Sequence, residues 1–245
     1  AHQVPVNVEA DSLNSSILGP DIDPDSDTFW MFISDVMRDL TQKAGQKCTA
    51  VRRIFVPKDR FEATSEVLRD RMAQLVVGDP GEKGTNIAPL ASASQQRDIA
   101  HGIAQLEEVT ESLWDGVEVP DTGYFVSPRL FVSHQGADTP FVHEHEVFGP
   151  VATVLTYSGD PDEVVDWVSL GMGGLVASLY SNDLDWSRKV LLGLAPWHGR
   201  LHWGSRKVHD QSPGPGTVLP NLVHGGPGKA GSGEELGGIR GLSFY

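Results

Sequence analysis

Apolar residues in this chain recur in two rhythms, one near 3.6 residues and one of two. Phe29, Ile33, Val36, Met37 and Leu40 fall at helical spacing. They predict a helix over 27–43, started by the acidic, Pro24-containing segment before it and stopped near Gly45. Phe61, Val67, Leu68, Met72 and Leu75 predict a second amphipathic helix, broken by Gly78-Asp79-Pro80-Gly81. Further helices are expected over 91–106, after Asp160-Pro161 with Val164, Val165 and Val168 inward, and over 184–194. β-branched or alternating runs predict strands at 4–8, 51–56, 124–126, 129–132, 151–157, 175–180 and 200–203, with a short apolar piece at 15–18 closed by Gly19-Pro20.

Strands alternating with helices of ten or more residues predict an α/β fold: an open, mostly parallel, doubly wound sheet with flanking helices. Ligands in such sheets bind beyond the carboxyl ends of the strands, so the site is expected on that edge. No internal repeat is found. Beyond Lys207 the composition turns to Gly and Pro, predicting a long loop over the domain and a short helix near 234–239. Gly226-Pro227-Gly228-Lys229-Ala230-Gly231 matches G-x-G-x-x-G, but it sits in this tail rather than between a strand and a helix. It is therefore read as a tight backbone path, not a phosphate cradle.

The 245 residues are 39% hydrophobic, enough for a sizeable core. There are 33 acidic against 19 basic side chains, a net charge of −14. That excludes the basic footprint of a nucleic-acid binder and disfavours anionic membranes. No apolar run reaches the ~20 residues that span a bilayer. The start, Ala1-His2-Gln3-Val4-Pro5, lacks Met and lacks a basic-then-apolar order. The expectation is a processed or excised product without a secretory signal. A single cysteine cannot form an internal disulfide, which fits a reducing, cytoplasmic setting.

That cysteine, Cys48, lies between the first long helix and the strand at 51–56, on a connecting loop where reactive groups are often displayed. It is a candidate nucleophile or, alternatively, a buried inert thiol. A thiolate can attack a carbonyl carbon, and a nearby carboxylate can act as a base toward water. Glu9, at a strand end, is from the residues alone either a solvated carboxylate or such a base. Glu146 follows His143-Glu144-His145 in an alternating stretch. His143 and His145 on one strand face suggest either a zinc site lacking a local third ligand or an exposed polar face. A cysteine hydrolase is a further alternative, although no His lies near Cys48 in sequence.

Gly45-Gln46-Lys47-Cys48-Thr49-Ala50, followed by Val51-Arg52-Arg53-Ile54-Phe55-Val56-Pro57, resembles the cysteine signature of the aldehyde dehydrogenase superfamily. Val8-Glu9-Ala10-Asp11-Ser12 resembles its general-base segment. Glu146-Val147-Phe148-Gly149-Pro150-Val151 resembles its cofactor-ribose segment. The resemblance covers nearly the whole chain. It implies that residues 1–245 are the catalytic domain of an NAD- or NADP-dependent enzyme, with Cys48 and Glu9 catalytic and Glu146 and Phe148 at the nicotinamide-side ribose. No metal is implied. It also implies that most of the cofactor-binding domain, the oxyanion-hole asparagine and a cofactor-binding lysine lie upstream of this chain. Neither Asn7 nor Asn14 matches that asparagine. The isolated chain is accordingly expected to fold but not to oxidise aldehydes, and the full-length protein to be a homo-oligomer. The ending Leu219-Pro220-Asn221-Leu222-Val223-His224-Gly225-Gly226-Pro227-Gly228 is similar to bacterial ring-cleavage semialdehyde dehydrogenases. Those enzymes belong to phenylacetate and benzoyl-CoA catabolism and imply a CoA-thioester semialdehyde substrate. Gly226–Gly231 resembles a glycine-rich family segment close to the active site.

Overall fold

The computed structural model describes residues 8–219, 222, 224–231 and 242. One seven-stranded sheet organises them, in the order β3-β4-β5-β2-β1-β6-β7. The strands are β1 (Ser15–Leu18), β2 (Arg53–Pro57), β3 (Glu111–Trp114), β4 (Arg129–Ser133), β5 (Val151–Tyr157), β6 (Gly174–Tyr180) and β7 (His198–Gly204). All pairs are parallel except β3 with β4, so the expected mostly parallel sheet is present.

The two-residue rhythm divides each strand between two cores. Leu18, Ile54, Val56, Leu130, Val132, Val154 and Tyr180 face one side. There they meet α1 (Asp27–Thr41), through Phe29, Phe32, Ile33, Val36 and Leu40, and α2 (Phe61–Ala73), through Leu68 and Met72. Ile17, Phe55, Phe131, Leu155, Ala177 and Leu179 face the other side. They pack on α3 (Ala93–Val109), α5 (Pro161–Ser169) and α6 (Leu184–Leu194). Helices on both faces make the sheet doubly wound. Ser26, Ser92, Asp160 and Asp183 cap α1, α3, α5 and α6 through their side-chain oxygens.

Several expectations change. The stretch around His143 is not a strand: Pro140–Glu144 forms the short helix α4, with Pro140 in its first turn. Of the two pieces flanking Pro128, only Arg129–Ser133 is a strand, and β3 is an edge strand that periodicity did not single out. The helices expected over 27–43 and 91–106 run over Asp27–Thr41 and Ala93–Val109. Of the strand expected at 4–8 only Val8 is described, and it is not in a strand; residues 4–7 and the helix near 234–239 lie outside the described residues. No helix among the described residues is long and apolar enough to cross a membrane.

Candidate active site

Cys48 precedes β2, Glu9 precedes β1, and Glu146 and Phe148 precede β5. Because β1, β2 and β5 run in parallel, these approach loops gather at the amino edge of the sheet. This overturns the expectation of a carboxyl-edge site. Each segment was legible as adjoining a strand, but which end of the sheet it serves depends on the strand that the chain enters next.

The cysteine loop is held by buried backbone and side-chain bonds. After α1 the chain turns through three left-handed residues, Lys43 and Ala44 at φ +53° and Gly45 at +69°. A Cβ at Gly45 would run into the Gly149 carbonyl, so glycine lets this turn dock on the segment that enters β5. Asn14, 2% exposed, donates from Nδ2 to the carbonyls of Cys48 (2.8 Å) and Ala50 (2.9 Å). Its Oδ1 accepts from the Val176 N–H at 3.0 Å, and the Ser12 hydroxyl accepts from Leu175 N–H at 2.9 Å. Cys48 is half-buried and packs on Leu175, Val176 and Ala230.

Glu146 is nearly enclosed, its side chain 7% exposed. Oε1 accepts from Arg52 Nε at 2.9 Å, and Oε2 accepts from the Ser12 N–H at 2.9 Å. Arg52 also donates to the carbonyls of Gly149 and Gly45, both at 2.9 Å. One carboxylate and one guanidinium thus tie together the loops before β1, β2 and β5. Phe148 is 38% exposed, with the Arg52 guanidinium 5.3 Å from its ring centre. A groove of about 340 Å³ opens beside it, lined by Ile99, Gly102, Phe141, Glu146, Val147 and Phe148 among others.

Glu9 is half-buried at the same edge. The next residue, Ala10, donates its N–H to the Lys229 carbonyl at 2.8 Å. The tail carrying Lys229 is threaded across the starts of β6 and β7. Lys229 N–H donates to Met172 O at 3.1 Å, and Gly199 leaves no room for a Cβ beneath the Gly225 carbonyl. Gly228–Ala230 is one 3-10 turn, and among the described residues no strand leads into it, as the dinucleotide-binding motif would require. The tight backbone path read from the sequence is what this segment forms.

The same tail carries His224, 2% exposed, whose Nε2 lies 3.5 Å from Cys48 Sγ. Sequence reasoning missed it because 176 positions separate the two. The available signal was a histidine within the glycine-rich segment whose resemblance already pointed to the active site. Arg200 of β7 is a second omission. Burial pulls its pKa down, while the nearby Cys48 thiolate form and Asp39 favour its charge.

His143 and His145 do not form a common face. His143 is buried, with Nδ1 accepting from Arg53 Nη1 at 3.0 Å and Nε2 donating to Gly136 O at 3.1 Å. Burial, with the Arg53 charge second, holds its pKa at about 4. His145 is exposed and stacks on Phe141, with ring centres 4.6 Å apart. No cluster of three or more potential metal ligands occurs among the described residues.

The family model described as "Aldehyde dehydrogenase family" matches residues 1–245. A 3,4-dehydroadipyl-CoA semialdehyde dehydrogenase from Aromatoleum evansii is 38% identical over 234 residues, covering 93% of this chain and 45% of the relative. Protein MaoC of Klebsiella aerogenes is 37% identical over 158 residues, 64% of this chain and 47% of the relative. An aldehyde dehydrogenase variant from Bacillus cereus superposes with a TM-score of 0.81 at 25% identity, covering 98% of this chain and 45% of that one. A succinic semialdehyde dehydrogenase from Streptococcus pyogenes, solved with NADP+, shares the fold at a TM-score of 0.80 and 23% identity, covering 98% of this chain and 48% of that one. The chain spans about half the length of the curated relatives it matches.

Proposed function

The chain belongs to the aldehyde dehydrogenase family, and from that premise we propose that it is the catalytic part of an NAD(P)-dependent enzyme that oxidises an aldehyde through Cys48. The observation that carries this reading is a half-buried thiol on a firmly tied loop, with a buried imidazole 3.5 Å away. Sγ attacks the aldehyde carbon, the carbonyl π pair moves to oxygen, and a thiohemiacetal forms on the protein. A nicotinamide cofactor, when bound, supplies the oxidant that converts this adduct to a thioester. Glu9 then takes a proton from water as the water attacks the thioester carbon, and the acid leaves as the C–S bond breaks.

The residues beside the groove suit one end of a nicotinamide cofactor. Each Glu146 oxygen accepts one protein hydrogen bond and keeps a lone pair for a ribose hydroxyl. Phe148, together with Val147, offers apolar surface next to it. Glu146 and Phe148 are therefore proposed to hold the nicotinamide-side ribose. The name of the Aromatoleum evansii relative supports a CoA-thioester semialdehyde as substrate, and a role in aromatic-compound breakdown is proposed from the resemblance of the 219–228 segment. Homo-oligomerisation is part of the same proposal. It is supported by β7, which ends the sheet with one edge unpaired among the described strands.

The test is aldehyde-dependent reduction of NAD+ or NADP+ by the full-length protein that carries this chain. Cys48→Ala removes the only thiol of the chain and should abolish turnover, because no covalent route remains. Glu9→Gln should keep a burst of reduced cofactor and slow the steady state, by about 10²–10⁴-fold for a lost general base. Wild-type turnover in Cys48→Ala would end the proposal. A second reading, a cysteine hydrolase, gains from the Cys48–His224 contact. Turnover of an activated ester with no aldehyde oxidation under any nicotinamide would favour it.

A further inference from the structure

Both members of the Cys48–His224 contact are fixed by independent parts of the fold. On the thiol side, Asn14 holds the Cys48 and Ala50 carbonyls and β6 supplies the floor. On the imidazole side, the tail is pinned by Lys229 N–H on Met172 O and by the close approach of Gly225 to Gly199. A nitrogen held 3.5 Å from a sulfur by two separate scaffolds is placed to share the sulfur's proton. The neighbouring charges favour the same transfer. Arg200 lies within electrostatic reach of the thiol and stabilises its anion. Lys47, next in the chain, is tied to Asp39 at 2.8 Å.

We propose that, within the aldehyde oxidation put forward above and resting on it, His224 is the group that takes the proton of Cys48. As the S–C bond forms, the thiol proton passes to His224 Nε2 and the carbonyl electron pair moves onto oxygen. The imidazolium remains beside the new oxyanion. When the thioester is hydrolysed the C–S pair returns to sulfur, and Nε2 returns the proton. Glu9 is thereby left to act on water alone, so the two proton transfers belong to two different residues.

Because the chain has one cysteine, alkylation by iodoacetamide reports on Cys48 alone and requires neither aldehyde nor cofactor. The rate is measured against pH for wild type, His224→Gln, His224→Phe, Arg200→Gln and Glu9→Gln, with circular dichroism as the check on folding. Wild type should titrate well below the ~8.5 of an ordinary thiol. Both His224 variants should move the midpoint back towards ~8.5 and slow alkylation at neutral pH by about tenfold or more, since an ordinary thiol is only a few per cent ionised there. Arg200→Gln should move it less than either His224 variant, and Glu9→Gln should leave it in place. A wild-type midpoint at or above ~8.5 overturns the proposal without any variant. So does a folded His224 variant with an unmoved profile, or a profile that follows Glu9 instead. If alkylation behaves as expected but the full-length protein oxidises no aldehyde, the proton acceptor stands and the dehydrogenase reading falls.

Discussion

Glu146 illustrates how one residue can serve two demands. Its resemblance points to a ribose contact, yet in the fold its carboxylate meets Arg52 and the Ser12 N–H away from solvent. Removing one member of a buried, hydrogen-bonded ion pair strands the other charge in a poorly solvating environment. Arg52→Met should therefore destabilise the chain by about 3–5 kcal/mol, read from urea unfolding. It should also loosen the loops before β1, β2 and β5 together. A loss below about 1 kcal/mol would mean that Glu146 regains water in the variant. Arg53, one position on, is a different case: it is fully buried in β2, and its guanidinium donates to the carbonyls of Leu13, Trp167 and Val168. Two of those carbonyls belong to the last turn of α5, where a cation is favoured by the helix dipole. Burial lowers its pKa to about 9, leaving it charged at neutral pH.

At the scale of elements, the connection between α1 and the cysteine loop is the most strained part of the site. Lys43 and Ala44 both occupy left-handed backbone that an L side chain disfavours by roughly 1–2 kcal/mol each. Lys43 is exposed, so Lys43→Gly relieves that cost without opening a cavity. Set against the greater freedom of glycine in the unfolded chain, it should raise stability by up to about 1 kcal/mol, measured by denaturant unfolding. A destabilised variant would show that the lysine side chain contributes more than its backbone costs. The helices themselves were legible: α5 opens at Pro161 behind Asp160, and α6 runs over 184–194, as the sequence predicts. The stretch at His143 was not, because an alternating pattern five residues long fits a short helix as well as a strand, and Pro140 settles the matter only once the turn before it is in place.

Across the whole molecule, histidines set the response to acid. Burial holds His143, His198 and His202 at about 4, against an ordinary 6.5. Their folded values lie below their unfolded ones, so unfolding takes up protons between the two. Their contribution to stability is complete above pH 6.5, declines as pH falls and is lost by about pH 4. Each group contributes a slope of up to about 1.4 kcal/mol per pH unit. Asp35 and Asp39, whose carboxyls burial pushes above 3.8, act in the opposite sense, because their protons are held more firmly in the folded state. The three imidazoles predict a fall in the urea midpoint from pH 6.5 to pH 4, which the two carboxyls oppose. A midpoint flat across that window would mean that the three rings charge in place.

The sequence by itself determined the layers. Periods of 3.6 and two divided the apolar residues between two cores, and capping residues and glycines marked where elements begin and end, because these signals act within a few residues. It also carried the cysteine and the segments of Glu9 and Glu146 in an order that resembles one family. Only the tertiary structure decided that those segments converge on the amino edge, since an approach loop takes its place from the strand that follows it. It alone brought His224 to Cys48 and turned Asn14 into the tie of the cysteine loop. Those contacts span 176 and 34 positions, and local sequence exerts no constraint over such distances. Parallel pairing of the strands closes them, together with a glycine-rich tail that can lie directly against backbone.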